Sequence, residues 1–159
     1  MSLFSLPLKL VRSAQAFMAS ALFIFSSSAF AVDPIYATFF SNIALNGYDV
    51  VAYHTDGAAY KGKNDFEYEW KGATWRFYSE ENLNLFIDNP EAYEPEYGGY
   101  CAYAVAKGTT AAGDPNQFTI IDGKLYFNYN NQTKILWTAE RDEFIEQADV
   151  NWPNLVDED

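Results

Sequence analysis

The chain has 159 residues, with 22 acidic against 10 basic side chains, a formal net charge of −12 and 18% aromatic residues. That balance excludes the positive footprint that nucleic acid or an anionic lipid surface requires, while suiting a cation or a basic protein partner. A single cysteine, Cys101, excludes an internal disulfide, so packing has to hold the fold together.

Lys9 and Arg12 are the only charges in residues 1–31, where the apolar run AQAFMASALFIF is followed by SSSAFA. A basic start, a short apolar run and small residues at Ala29 and Ala31 form the pattern of a secretory signal peptide, cleaved after Ala31. The run is shorter than the roughly 20 apolar residues of a bilayer span, so no stable membrane insertion is expected after cleavage. The expected product is residues 32–159, which is 159 − 31 = 128 residues with charge 8 − 22 = −14, periplasmic or secreted. That length suits one domain with one core.

In NGYDVVAYH, Asn46-Gly47 signals a turn before a short β-prone run that ends at His54, the only histidine. FEYEW (66–70) and ATWRFY (73–78) flank Lys71-Gly72 and predict a hairpin. Ser79 then reads as an N-cap, with Glu80 and Glu81 in the first turn of a helix that ends at Asn89-Pro90. After Gly98-Gly99, YCAYAVAK suits about two helical turns stopped by Gly108. FTIID (118–122) and KLYFNY (124–129) predict a second hairpin around Asp122-Gly123. Phe144, Ile145, Ala148 and Trp152 keep a helical spacing near the end, in one or two helices closed by Pro153. The sum is a small α+β domain of two β-hairpins with packed short helices and a C-terminal helix.

In this order YEW-x4-WRFYSEENLNLFIDNPEAY resembles the YHS domain family, through Phe77, Ser79, Phe86, Asn89, Pro90 and Tyr93. GYDVVAY is similar to the family's opening strand. GGYCAYAVAKG, DGKLYFNYN and ADVNWPNL are similar to exported, stand-alone members, so the likeness runs over roughly residues 46–155. The resemblance implies a metal site of three cysteines in some members, at positions close to Ala52, Tyr78 and Asn82 here. None of these is a cysteine, and the family's thiolate site is absent.

Cys101 is the remaining centre of interest. On a helix starting after Gly98-Gly99 it stands in the first turn, where free N–H groups and the helix dipole favour thiolate. Cysteine also packs as a small hydrophobe, and the sequence leaves both readings open. A ligand pocket near Cys101 would use Gly98 and Gly99 for close backbone approach, with Tyr100 and Tyr103 as walls. Tyr93, Tyr97, Trp70 and Trp75 extend that aromatic set, and Asp114-Pro115 lies in a polar loop suited to border it. As a metal site, Cys101 and His54 would be the donors, completed by Asp56 or Asp114, with copper or zinc as the ion. Met1 and Met18 both precede Ala31, so the expected product has no thioether ligand.

The leading expectation is therefore a domain that binds a small ligand or metal ion rather than transforming it. The alternatives are thiol chemistry at Cys101 assisted by His54, and a structural module whose acidic surface docks a basic protein.

Overall fold

A computed structural model describes residues 31–156; the signal-peptide reading concerns residues 1–31, which apart from Ala31 lie outside the described residues. Both ends of the described chain meet, because Val32 bridges Val156 and its N–H donates to the Leu155 carbonyl at 2.8 Å.

The first departure from the sequence expectation is at GYDVVAYH. Val50–Thr55 is an α-helix (α1), not a strand. Asp49 decides this: its carboxylate Oδ1 accepts from the N–H groups of Val51 at 2.9 Å and Ala52 at 3.2 Å, capping the helix. Val50, Val51, Ala52 and Tyr53 are all buried, so the first turn of this helix is apolar all round and carries no alternating or amphipathic signature.

The predicted hairpin follows. β1 (Lys63–Trp70) pairs antiparallel with β2 (Ala73–Phe77), with Trp70 opposite Ala73 and an irregularity between Lys63 and Glu67. Lys71 and Gly72 both have positive φ, at 47° and 73°, as the tight two-residue hairpin turn demands. α2 (Glu80–Asp88) starts at Ser79, whose hydroxyl accepts from the Asn82 N–H at 3.2 Å. Phe86 brings α2 onto the hairpin, stacking among Trp70, Trp75 and Phe77 with ring centroids 5.1–5.5 Å away.

The chain then passes through a 3₁₀ turn at Glu96–Gly99 into α3 (Ala102–Ala106). β3 (Phe118–Ile121) and β4 (Lys124–Phe127) form the second hairpin around Asp122-Gly123, again with consecutive positive φ of 51° and 80°. α4 (Asn131–Ala139) opens with a capping box between Asn130 and Thr133. α5 (Arg141–Asn151) follows, and Trp152–Asn154 closes in a 3₁₀ turn at Pro153. Among the described residues the architecture is five α-helices and two separate two-stranded antiparallel sheets, a small α+β fold.

Two apolar clusters share β4 as their wall. Leu125 and Phe127 pack with α1, the first hairpin and Phe86, while Tyr126 packs with α3, Trp137, Phe144 and Ala148. The period-two alternation of a strand sends successive side chains to opposite faces, so β4 divides the two cores.

Asp49 ties the first cluster together. It is fully buried, and its second oxygen, Oδ2, accepts from the Tyr78 N–H at 2.8 Å and from Asn82 Nδ2 at 2.7 Å. One carboxylate thus joins the start of α1, the end of the first hairpin and the first turn of α2. Asp49→Ala removes a cap and strands four donors, three of them buried, and is expected to cost at least about 3 kcal/mol. Asn82→Ala, which loses one of these bonds, should cost about 1–2 kcal/mol. Urea denaturation measures both, and an Asp49→Ala variant as stable as the parent would remove the carboxylate from this role.

Candidate functional site

Cys101 is buried, 1% exposed, and stands at the N-cap position of α3 without capping it. The expected first-turn placement is therefore shifted by one residue. Its N–H donates to the Ala111 carbonyl at 2.9 Å, and its backbone bridges Phe127. The thiol donates to Asn128 Oδ1 at 3.8 Å, a long and weak bond in a sealed environment. Asn128 is itself fully buried, its N–H bonded to the Gln117 carbonyl and its carbonyl to the Asp114 N–H. The sulfur is a core group with a polar neighbour.

His54 lies elsewhere in the packing. Its ring meets Tyr93 edge-on with centroids 5.5 Å apart, and its buried Nε2 makes no hydrogen bond. Burial lowers its pKa from the ordinary 6.5, with the Tyr93 backbone opposing. Among the described residues no group of three or more His, Cys, Asp or Glu side chains is placed to hold a metal ion.

The aromatic residues expected to wall a pocket are distributed between the two cores. Trp70 and Trp75 pack with Phe86 in the first. Tyr103 meets Phe144, with Lys107 over the Phe144 ring at 4.5 Å. Tyr100 stacks between Tyr36 and Trp152 at 5.5 and 5.8 Å, and burial pushes its phenol up to about 12, with Asp33 adding to the shift. Gly98 and Gly99 do serve close approach, but to the chain itself. A side chain on Gly98 would collide with the Pro34 carbonyl, and one on Gly99 with Leu45.

Immediately beside Gly98 the surface opens into a cleft of about 480 Å³. Tyr97 and Gly98 are the only members of the YGGYC stretch that line it. Lys71, at the first hairpin turn, reaches Glu94 at 2.8 Å, and Lys124, at the start of β4, reaches Glu96 at 3.4 Å. Tyr97 donates its hydroxyl to Asp149 of α5 at 2.8 Å. Burial first, and then this bond to Asp149, raise the Tyr97 pKa far above its ordinary value, so the phenol stays a neutral donor. Trp152 covers Tyr97 with centroids 6.0 Å apart. Both lysines are about half exposed, and exposed pairs of this kind contribute under about 1 kcal/mol each, so a ligand can exchange with them at little cost. Sequence reasoning missed Lys71, Glu94, Glu96, Lys124, Asp149 and Trp152 as a group, since they come from four separate parts of the chain.

Residues 51–97 match the family model of the YHS domain. The match covers 97 − 50 = 47 of the 159 residues. No curated protein and no solved structure matches the chain. The matched span begins within α1, takes in the first hairpin and α2, and ends at Tyr97 on the edge of the cleft. Lys71, Glu94 and Glu96 thus stand on the YHS side, and Lys124, Asp149 and Trp152 on the remainder.

The YHS metal positions can be tested against this geometry. Ala52, Tyr78 and Asn82 do converge: the Ala52 N–H, the Tyr78 N–H and Asn82 Nδ2 all donate to the Asp49 carboxylate. That carboxylate already accepts four hydrogen bonds, and its neighbours offer neither thiolate nor imidazole. A soft metal ion does not fit there.

Two outcomes follow. Cys101 should resist a small alkylating agent in folded protein and react once denaturant opens the core, as thiol modification followed by mass spectrometry will read; rapid modification of folded protein would make the thiol accessible. For His54, the unfolded state binds the extra proton first. Its contribution to stability is present above the ordinary pKa of 6.5 and is lost as pH falls toward the lower folded value. NMR should show the imidazole titrating below 6.5, and His54→Phe should lessen the loss of stability between about pH 7 and 5.

Proposed function

We propose that this protein is an exported small-ligand-binding protein, whose YHS domain supplies one wall of the binding cleft and whose remaining helices and second hairpin supply the other. The observation that carries this reading is the cleft of about 480 Å³ itself, within the size range of small-molecule sites. Lys71 and Lys124 offer cations, Glu94, Glu96 and Asp149 offer carboxylates, and Trp152 offers an aromatic face. That lining suits a small polar molecule bearing groups of both charges. This reading sets the pocket on the outer side of Gly98 instead of at Cys101, which is buried beside Asn128. Thiol catalysis with His54 has no favouring observation, because Cys101 is sealed and His54 packs against Tyr93.

Native mass spectrometry of protein isolated gently from its producing cells tests the reading. The parent should carry an added small-molecule mass that is lost in Lys71→Ala/Lys124→Ala. These surface changes should leave thermal stability within about 1 kcal/mol of the parent. A bare parent mass, or an adduct that survives the double substitution, would sink the proposal.

A further inference from the structure

Phe39 and Phe40 are 93% and 96% exposed, well beyond the next large apolar side chain among the described residues, Val150, at 72%. Their rings meet edge-on with centroids 5.1 Å apart, forming one apolar wedge. The turn that carries them is held closed. The Thr38 N–H donates to the Ile43 carbonyl at 2.9 Å, the Asn42 N–H to the Thr38 carbonyl at 2.8 Å, and the Ile43 N–H to Thr38 Oγ1 at 3.0 Å. Its base is clamped to the first hairpin, because the Thr74 N–H donates to the Asn42 carbonyl, the Ala44 N–H to the Thr74 carbonyl, and Asn42 Nδ2 to the Gly72 carbonyl. A turn fixed at both sides cannot fold the rings back onto the core.

We propose that this wedge dips into the surface of an electrically neutral lipid bilayer, holding the domain against it reversibly. Three observations favour lipid over another protein. Two phenylalanines supply roughly 300–500 Å², short of the about 800 Å² that each partner gives a stable protein interface. The stretch from Pro34 to Tyr48 contains no charged residue in a chain with 22 acids and 10 bases, so inserting the tip desolvates no charge. Thr38, Ser41 and Asn42 flank the rings with short uncharged polar groups, and Lys71, beside Gly72, is already paired with Glu94. The net charge of −12 opposes anionic lipid and leaves a neutral headgroup surface as the favoured one.

Cosedimentation of the full chain with phosphatidylcholine vesicles tests this, since any affinity of residues 1–30 is common to parent and variants. Binding should fall at least about fivefold in Phe39→Ser/Phe40→Ser. It should stay unchanged in Tyr60→Ser/Tyr78→Ser, which alters exposed aromatics elsewhere, and should weaken when phosphatidylglycerol replaces part of the lipid. A Phe40→Trp variant should gain a fluorescence that brominated lipid chains quench. Absence of vesicle binding, equal binding by Phe39→Ser/Phe40→Ser, or tighter binding to phosphatidylglycerol would overturn the proposal. So would a concentration-dependent dimer of the parent that Phe39→Ser/Phe40→Ser abolishes, which assigns the wedge to a second copy of this chain.

Discussion

The Asp49 carboxylate is the constraint on which the first half of the molecule is built. A buried carboxylate without partners costs several kcal/mol, so it is tolerated only where donors surround it. Here four donors do so, from α1, from the residue after β2 and from α2. Each of these donors is a group that would otherwise be orphaned: two are free N–H groups of a helix start, one ends a strand, and one is a side-chain amide. The acid and the three elements therefore require one another. That mutual requirement explains why a six-residue helix, too short to be stable alone, persists in the core.

The same carboxylate explains how the span that matches the YHS model holds together here without the cysteines that the family resemblance associates with metal. Ala52, Tyr78 and Asn82 bring three parts of the chain to one point, through two backbone N–H groups and one side-chain amide. At that point a negative charge accepts hydrogen bonds where a cation would accept lone pairs. The polarity of the centre is reversed.

From there the second half is placed by β4. The segment leading into α3 runs beside that strand, with Pro95 bridging Leu125 and Cys101 bridging Phe127. Alternation along β4 commits Leu125 and Phe127 to one core and Tyr126 to the other, which fixes the height of Glu94–Gly98 between them. Glu94 and Glu96 are two residues apart and both line the cleft, facing lysines that come from the two hairpins. The cleft is thus a consequence of two hydrophobic cores sharing one strand.

This construction also accounts for what the sequence disclosed. The hairpins were legible because Lys71-Gly72 and Asp122-Gly123 encode a local backbone geometry, and α2 because Ser79, Glu80 and Pro90 mark its ends chemically. The helix at Val50–Thr55 was hidden: its first four residues are all apolar and buried and show no amphipathic period, and its one signal was Asp49 standing before it as a cap. Cys101 drew attention as a rare chemical type, whereas its function in the fold is volume beside Asn128. The cleft residues are ordinary lysines and acids that become a group only in space. Rarity along a chain points to chemistry only when the rare group reaches solvent or a partner, and here the glycines beside Cys101 close the backbone over the core.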